Sequence, residues 1–118
     1  MNLALLGYAL AEDSDQMNSL VEKRRSDVQA LCRQHDVRRL DLFGSAAAGQ
    51  DHPGKSDLDF LVEFLPLAPG RYADAYFDLL ESLEELFGCR VDLVVASSIK
   101  NPYFREAVER TKTLLYAA

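Results

Sequence analysis

The chain has 118 residues, 48% of them apolar, with 13 basic against 19 acidic side chains and a formal net charge of −6. That length is near the commonest size of one compact domain, so residues 1–118 are expected to form a single unit around one core, with residues 1–14 as an N-terminal arm. The acidic balance disfavours unaided nucleic-acid binding, and it suits a protein that binds divalent cations, receives phosphates together with them, or docks on a basic partner.

Residues 3–10 are apolar but follow no Lys or Arg, contain Gly7 and are too short to span a bilayer. They read as a packed or frayed arm rather than a signal peptide or membrane anchor. Met17, Leu20, Val21, Val28, Leu31 and Cys32 then recur at helical steps, predicting an amphipathic helix over about 15–35 with Ser14 as N-cap. Its other face carries the charged stretch 22–25 and is expected to be solvated. Cys32 and Cys89 form no C-x-x-C pair and sit among apolar residues, as free thiols do in a reducing compartment such as the cytoplasm.

Residues 37–43 predict a first strand that ends at Gly44-Ser45, and Gly49, Pro53 and Gly54 mark a helical turn and a loop after it. Leu58, Phe60 and Val62 alternate with Asp57, Asp59, Leu61 and Glu63, the period of a second strand. After Pro66, Pro69 and Gly70, the set Tyr76, Leu79, Leu80, Leu83, Leu86 and Phe87 keeps helical spacing up to Gly88, a residue suited to the position just past a helix end. Residues 90–95 form a short β-branched run with Asp92 in its middle. Asn101-Pro102 places a cap before the favoured first helical position, and Phe104, Val108, Thr111 and Leu115 form the stripe of a last helix. The expected class is α/β (α+β): a small sheet covered largely on one side by helices.

Asp57 and Asp59 are one residue apart on a predicted strand, so both carboxylates leave one face roughly 6 to 7 Å apart. Two hard cations are the usual answer to such a pair where phosphates are processed. Asp92 lies inside an apolar strand, where an isolated charge costs several kcal/mol unless it is paired or coordinated. On a neighbouring strand it would complete a three-carboxylate site for two magnesium ions. Gly44 and Ser45, where the first strand meets a turn, would let backbone N–H groups and a hydroxyl approach a phosphate.

Blander readings stand beside these. Asp57 and Asp59 could cap a turn, and Asp92 could lie on a solvated sheet edge or pair with Arg90. His52 reads as an exposed loop residue, and Tyr72, Tyr76 and Phe77 read as core or partner interface.

Gly44-Ser45, then Asp57-x-Asp59, then the later strand acid Asp92 resemble the nucleotidyltransferases of the DNA polymerase beta-like superfamily. The segments 40–49, 56–62 and 91–94 look like the minimal nucleotidyltransferase (MNT) antitoxins, with the resemblance running from about Val37 to the C-terminus. It implies a small mixed β-sheet with flanking helices. It also implies metal-binding and catalytic roles for Asp57, Asp59 and Asp92, a nucleotide-binding role for Gly44 and Ser45, Mg2+ as cofactor and ATP as substrate. The partner implied is a HEPN-type RNase toxin, neutralised by transfer of AMP to a tyrosine hydroxyl. Many relatives have a basic residue where this chain has Ala46 or Ala48, and Lys55, Arg38, Arg39 or a partner's basic groups are candidates to substitute. Two other functions are weighed: an antitoxin that masks its toxin without catalysis, and transfer to a small molecule, for which related enzymes usually add a helical substrate domain.

Overall fold

The computed structural model describes residues 19–44 and 58–118. The expected arm, the Ser14 cap and the turn after the first strand lie outside them, as do Ser45, His52, Lys55 and Asp57.

The first helical region is two segments, α1 (Ser19–Lys23) and α2 (Arg25–Gln34), where the apolar spacing predicts one helix. The break falls at Arg24, whose N–H lies within reach of both Leu20 O at 3.2 Å and Val21 O at 3.1 Å, so the turn there tightens. Val21, Val28 and Cys32 still face inward, fully buried. The polar side carries the ion pairs Arg25–Glu22 at 3.0 Å and Arg24–Asp27 at 3.3 Å, both exposed enough to add little stability.

Asp36, at φ +58°, turns the chain into β1 (Val37–Phe43). There follow β2 (Leu58–Phe64), α3 (Tyr72–Phe87), β3 (Val91–Val95), α4 (Pro102–Thr111) and β4 (Thr113–Ala117). The sheet order is β3-β2-β1-β4. β1 pairs antiparallel with β2 and β4, whereas β2 and β3 are parallel, with α3 as the crossover that a parallel pair requires. Both expected caps are present. Gly88 ends α3 at φ +68°, and the Asn101 side chain accepts from the Tyr103 and Phe104 N–H groups at 2.8 and 3.2 Å.

The reading of the last helix is corrected. Leu115 does not extend the last helix: α4 stops at Thr111, Lys112 is extended, and residues 113–117 form β4 against β1. The spacing of Val108, Thr111 and Leu115 is helical only by coincidence, because Leu115 is buried in the core from a strand. Two carbonyls of this region accept from α2 side chains, Leu114 O from Arg25 at 3.2 Å and Leu115 O from Gln29 at 3.0 Å, which ties β4 to α2.

Helices lie largely on one side, as expected, with one helix on the other. α1, α2 and α3 cover one face through Val21, Val28, Leu79, Leu83 and Phe87, packed on Leu40, Leu42, Phe60, Val62 and Leu93. The opposite face has its own cluster, in which Val108 of α4 and Ile99 meet Phe43 and Leu61. Each fully buried leucine contributes roughly 1.5 to 3 kcal/mol, so the larger cluster dominates stability and the smaller one positions α4. Among the described residues no helix is long and apolar enough to cross a membrane.

Candidate active site

The strand alternation aims the acids. Leu58, Phe60 and Val62 of β2 and Val91 and Leu93 of β3 point into the larger core, so Asp59 and Asp92 must leave the other face, the one that carries α4. In the parallel β2–β3 ladder Asp59 is the direct partner of Asp92, one strand spacing away, about 4.8 Å between backbones. Asp59 is half-buried and Asp92 exposed. Among the described residues no hydrogen bond or ion pair takes the Asp92 carboxylate. β3 is an edge strand, as the blander reading of Asp92 supposed, yet the register still sets this acid beside Asp59. Like charges at that separation form a donor set that hard divalent cations take. Asp57 is outside the described residues, and those residues by themselves contain no group of three or more potential metal ligands.

β1 runs antiparallel to β2, so its C-terminal end meets the N-terminal end of its neighbour: Phe43 is the partner of Asp59, and Gly44 follows. Gly44 has φ +78°, and a Cβ built there would collide with Asp59 Oδ2. Glycine is required twice over, for the backbone conformation and for the space the carboxylate occupies. The Gly44 N–H donates to Thr111 Oγ1 at 3.1 Å, and the Thr111 hydroxyl donates in turn to Ala107 O at 3.1 Å. The Gly44 amide is therefore held by α4, and the missing side chain leaves room for the Asp59 carboxylate. In sequence Thr111 reads only as part of the stripe of the last helix, with no signal that ties it to the site.

Around this centre, Arg39 makes a two-pronged contact with Asp41, at 2.8 and 3.1 Å. The Asp41 carboxylate is fully buried, and its hydrogen bond raises the Arg39 guanidinium pKa. Arg39 is thus committed to its own strand rather than to a triphosphate, whereas Arg38 is exposed. Tyr76, from α3, donates its hydroxyl to Leu93 O at 2.6 Å and so clamps β3 one residue past Asp92. Burial, then the Asp92 charge, then Tyr72 raise the Tyr76 phenol above its ordinary value. Glu84 accepts the Val91 N–H at 3.2 Å, fixing the start of the same strand. Tyr72 and Phe77 are exposed rather than core. A groove of about 630 Å³ lined by Glu63, Pro66, Tyr72, Val95 and Ser97 lies at the opposite ends of β2 and β3, away from the acids.

A family profile described as a nucleotidyltransferase domain matches residues 25–115. A Methanocaldococcus jannaschii protein with the provisional name protein adenylyltransferase is 34% identical over 95 residues, covering 74% of this chain and 93% of that protein. A solved structure provisionally named a minimal nucleotidyltransferase is 37% identical, covers 82% of this chain and 95% of its own, and superposes with a TM-score of 0.66. A tri-AMPylated Shewanella oneidensis HEPN toxin in complex with MNT antitoxin includes a chain of the same fold, 19% identical, with TM-score 0.57 over 82% of this chain and 72% of that one.

Proposed function

We propose that this chain, which belongs to the nucleotidyltransferase domain family, transfers AMP from ATP to a hydroxyl, that of a tyrosine, on a cognate HEPN-type RNase toxin in the cytoplasm and so neutralises it. The observation that carries the proposal is the side-by-side register of Asp59 and Asp92 at the end of β1, where Gly44 is cut back to make room for the carboxylate. The AMPylated toxin bound to an MNT antitoxin of the same fold supports the choice of acceptor.

In this reading Asp57, Asp59 and Asp92 would hold two Mg2+ ions, and Gly44 and Ser45 would bind the triphosphate. Bound magnesium supplies positive charge to the triphosphate and lowers the pKa of the acceptor hydroxyl. The acceptor oxygen bonds to the α-phosphorus of ATP, the bond from that phosphorus to the bridging oxygen breaks, and pyrophosphate departs. The hydroxyl proton passes to the nearest of the three carboxylates. Because Asp59 and Asp92 are register partners on paired strands, the fold itself sets the two acids side by side for this step.

Incubation with α-labelled ATP, MgCl2 and the toxin encoded beside it should label the toxin, and the double variant Asp57→Asn, Asp59→Asn should not. Label transferred undiminished by that double variant would refute the assignment. A second reading, neutralisation by masking, is favoured by the net charge of −6 and by the exposed aromatic Tyr103, 81% accessible on α4. If the double variant protects cells as well as the parent chain, masking is the operative mechanism.

A further inference from the structure

We infer that Thr111 is a positioning residue for nucleotidyl transfer, locking the Gly44 peptide in the orientation that leaves Asp59 its place beside Asp92. The inference rests on the reading of these acids as the transfer site, and it concerns a residue on a different element, the end of α4.

The chain of contacts is short. The Thr111 hydroxyl gives its proton to Ala107 O at 3.1 Å, four residues back in its own helix, so the lone pairs of Oγ1 are what it presents outward. One of them accepts the Gly44 N–H at 3.1 Å. Gly44, lacking a Cβ and sitting at φ +78°, is the residue in this strand end with the most freedom to rotate. A hydrogen bond to its amide is the direct way to remove that freedom. α4 is a firm place from which to make it: Val108 is 2% exposed within the cluster with Phe43, Leu61 and Ile99, and Phe104 meets Phe43 edge-on with ring centres 6.0 Å apart. The residue just before Gly44 and the helix that holds Gly44 are thus packed as one piece.

The carboxylate depends on this because Asp59 Oδ2 fills the volume a Gly44 side chain would occupy. A small rotation of the Gly44 peptide toward that volume pushes Oδ2 out of line with Asp92. A buttress of this kind stabilises the fold weakly and the site geometry strongly.

The test compares Thr111→Val, which keeps the shape and loses the acceptor, with Thr111→Ser, which keeps the acceptor. The Gly44 amide should exchange with solvent about tenfold faster in the apo full-length Val variant than in the parent, and at nearly the parental rate in the Ser variant. With α-labelled ATP, MgCl2 and the neighbouring toxin, the Val variant should lose about tenfold in kcat at an unchanged KM for toxin, and the Ser variant should recover most of it. Parental kcat and parental Gly44 exchange in a folded Val variant would overturn the inference. So would equal losses in Val and Ser variants, which would mean that Thr111 matters only as packing. Failure of the transfer reading itself shows separately, as activity in the Asp57→Asn, Asp59→Asn protein, and the Gly44 exchange comparison stands apart from activity.

Discussion

Replacing Gly44 by alanine separates what this residue does for the fold from what it does for the site. Alanine at φ +78° is strained by about 1 to 2 kcal/mol, because the left-handed region crowds its Cβ against the backbone. The new methyl also overlaps Asp59 Oδ2, but that atom is the far end of a side chain and not backbone, and a rotation about the Asp59 Cα–Cβ bond clears the overlap. The stability loss should therefore stay near the backbone term, lowering the melting temperature by roughly 4 to 10 °C for a chain of this size. The rotation that relieves the clash is the displacement transfer cannot tolerate. Moving a reacting group by about 1 Å costs on the order of a hundredfold in rate, so the variant should be folded and at least that much slower in labelling the toxin. Urea denaturation and initial labelling rates, measured on the same preparation below its melting temperature, give the two numbers. A folded Gly44→Ala protein with the parental rate would refute the reasoning, as would a stability loss of several kcal/mol, which would mean the carboxylate cannot yield.

Other consequences follow from burial and capping. Leu83→Ala, at a fully buried position of α3, should cost about 2 to 5 kcal/mol in urea titrations, whereas Phe77→Ala, 56% exposed on the same helix, should stay within about 0.5 kcal/mol. Asn101→Ala removes the acceptor of two amide protons at the start of α4 and should cost about 1 kcal/mol, read as a lowered melting temperature. Burial pushes the Cys32 thiol up from 9.0 to about 12. The unfolded chain releases that proton near pH 9 while the folded chain keeps it, so stability is full below pH 9 and falls by up to about 1.4 kcal/mol per pH unit from there towards 12. Unfolding free energies at pH 8 and 10 should differ less in Cys32→Ala than in the parent chain.

Local chemistry made much of this protein legible before any coordinates. Asn101-Pro102 and Gly88 act within one helical turn, and the alternation of Leu58, Phe60 and Val62 with Asp59 and Leu61 sorts these residues onto the two faces of a strand, so caps and strands could be read directly. Non-local pairing decided the rest. Residues 113–117 continue a helical spacing and become a strand because β1 offers an open edge, a partner that no window around Leu115 contains. The acids could be recognised as a kind of site by their resemblance to a family, but their meeting is a matter of register: Asp59 opposite Asp92 is set by how β2 and β3 slide against one another under α3. The same holds for the Gly44 amide, whose partner, the Thr111 hydroxyl, lies on an element far along the chain. Periodicity and capping report the environment of a residue along its own element, while the contacts between elements are made by the free energy of the whole core, which no single segment carries.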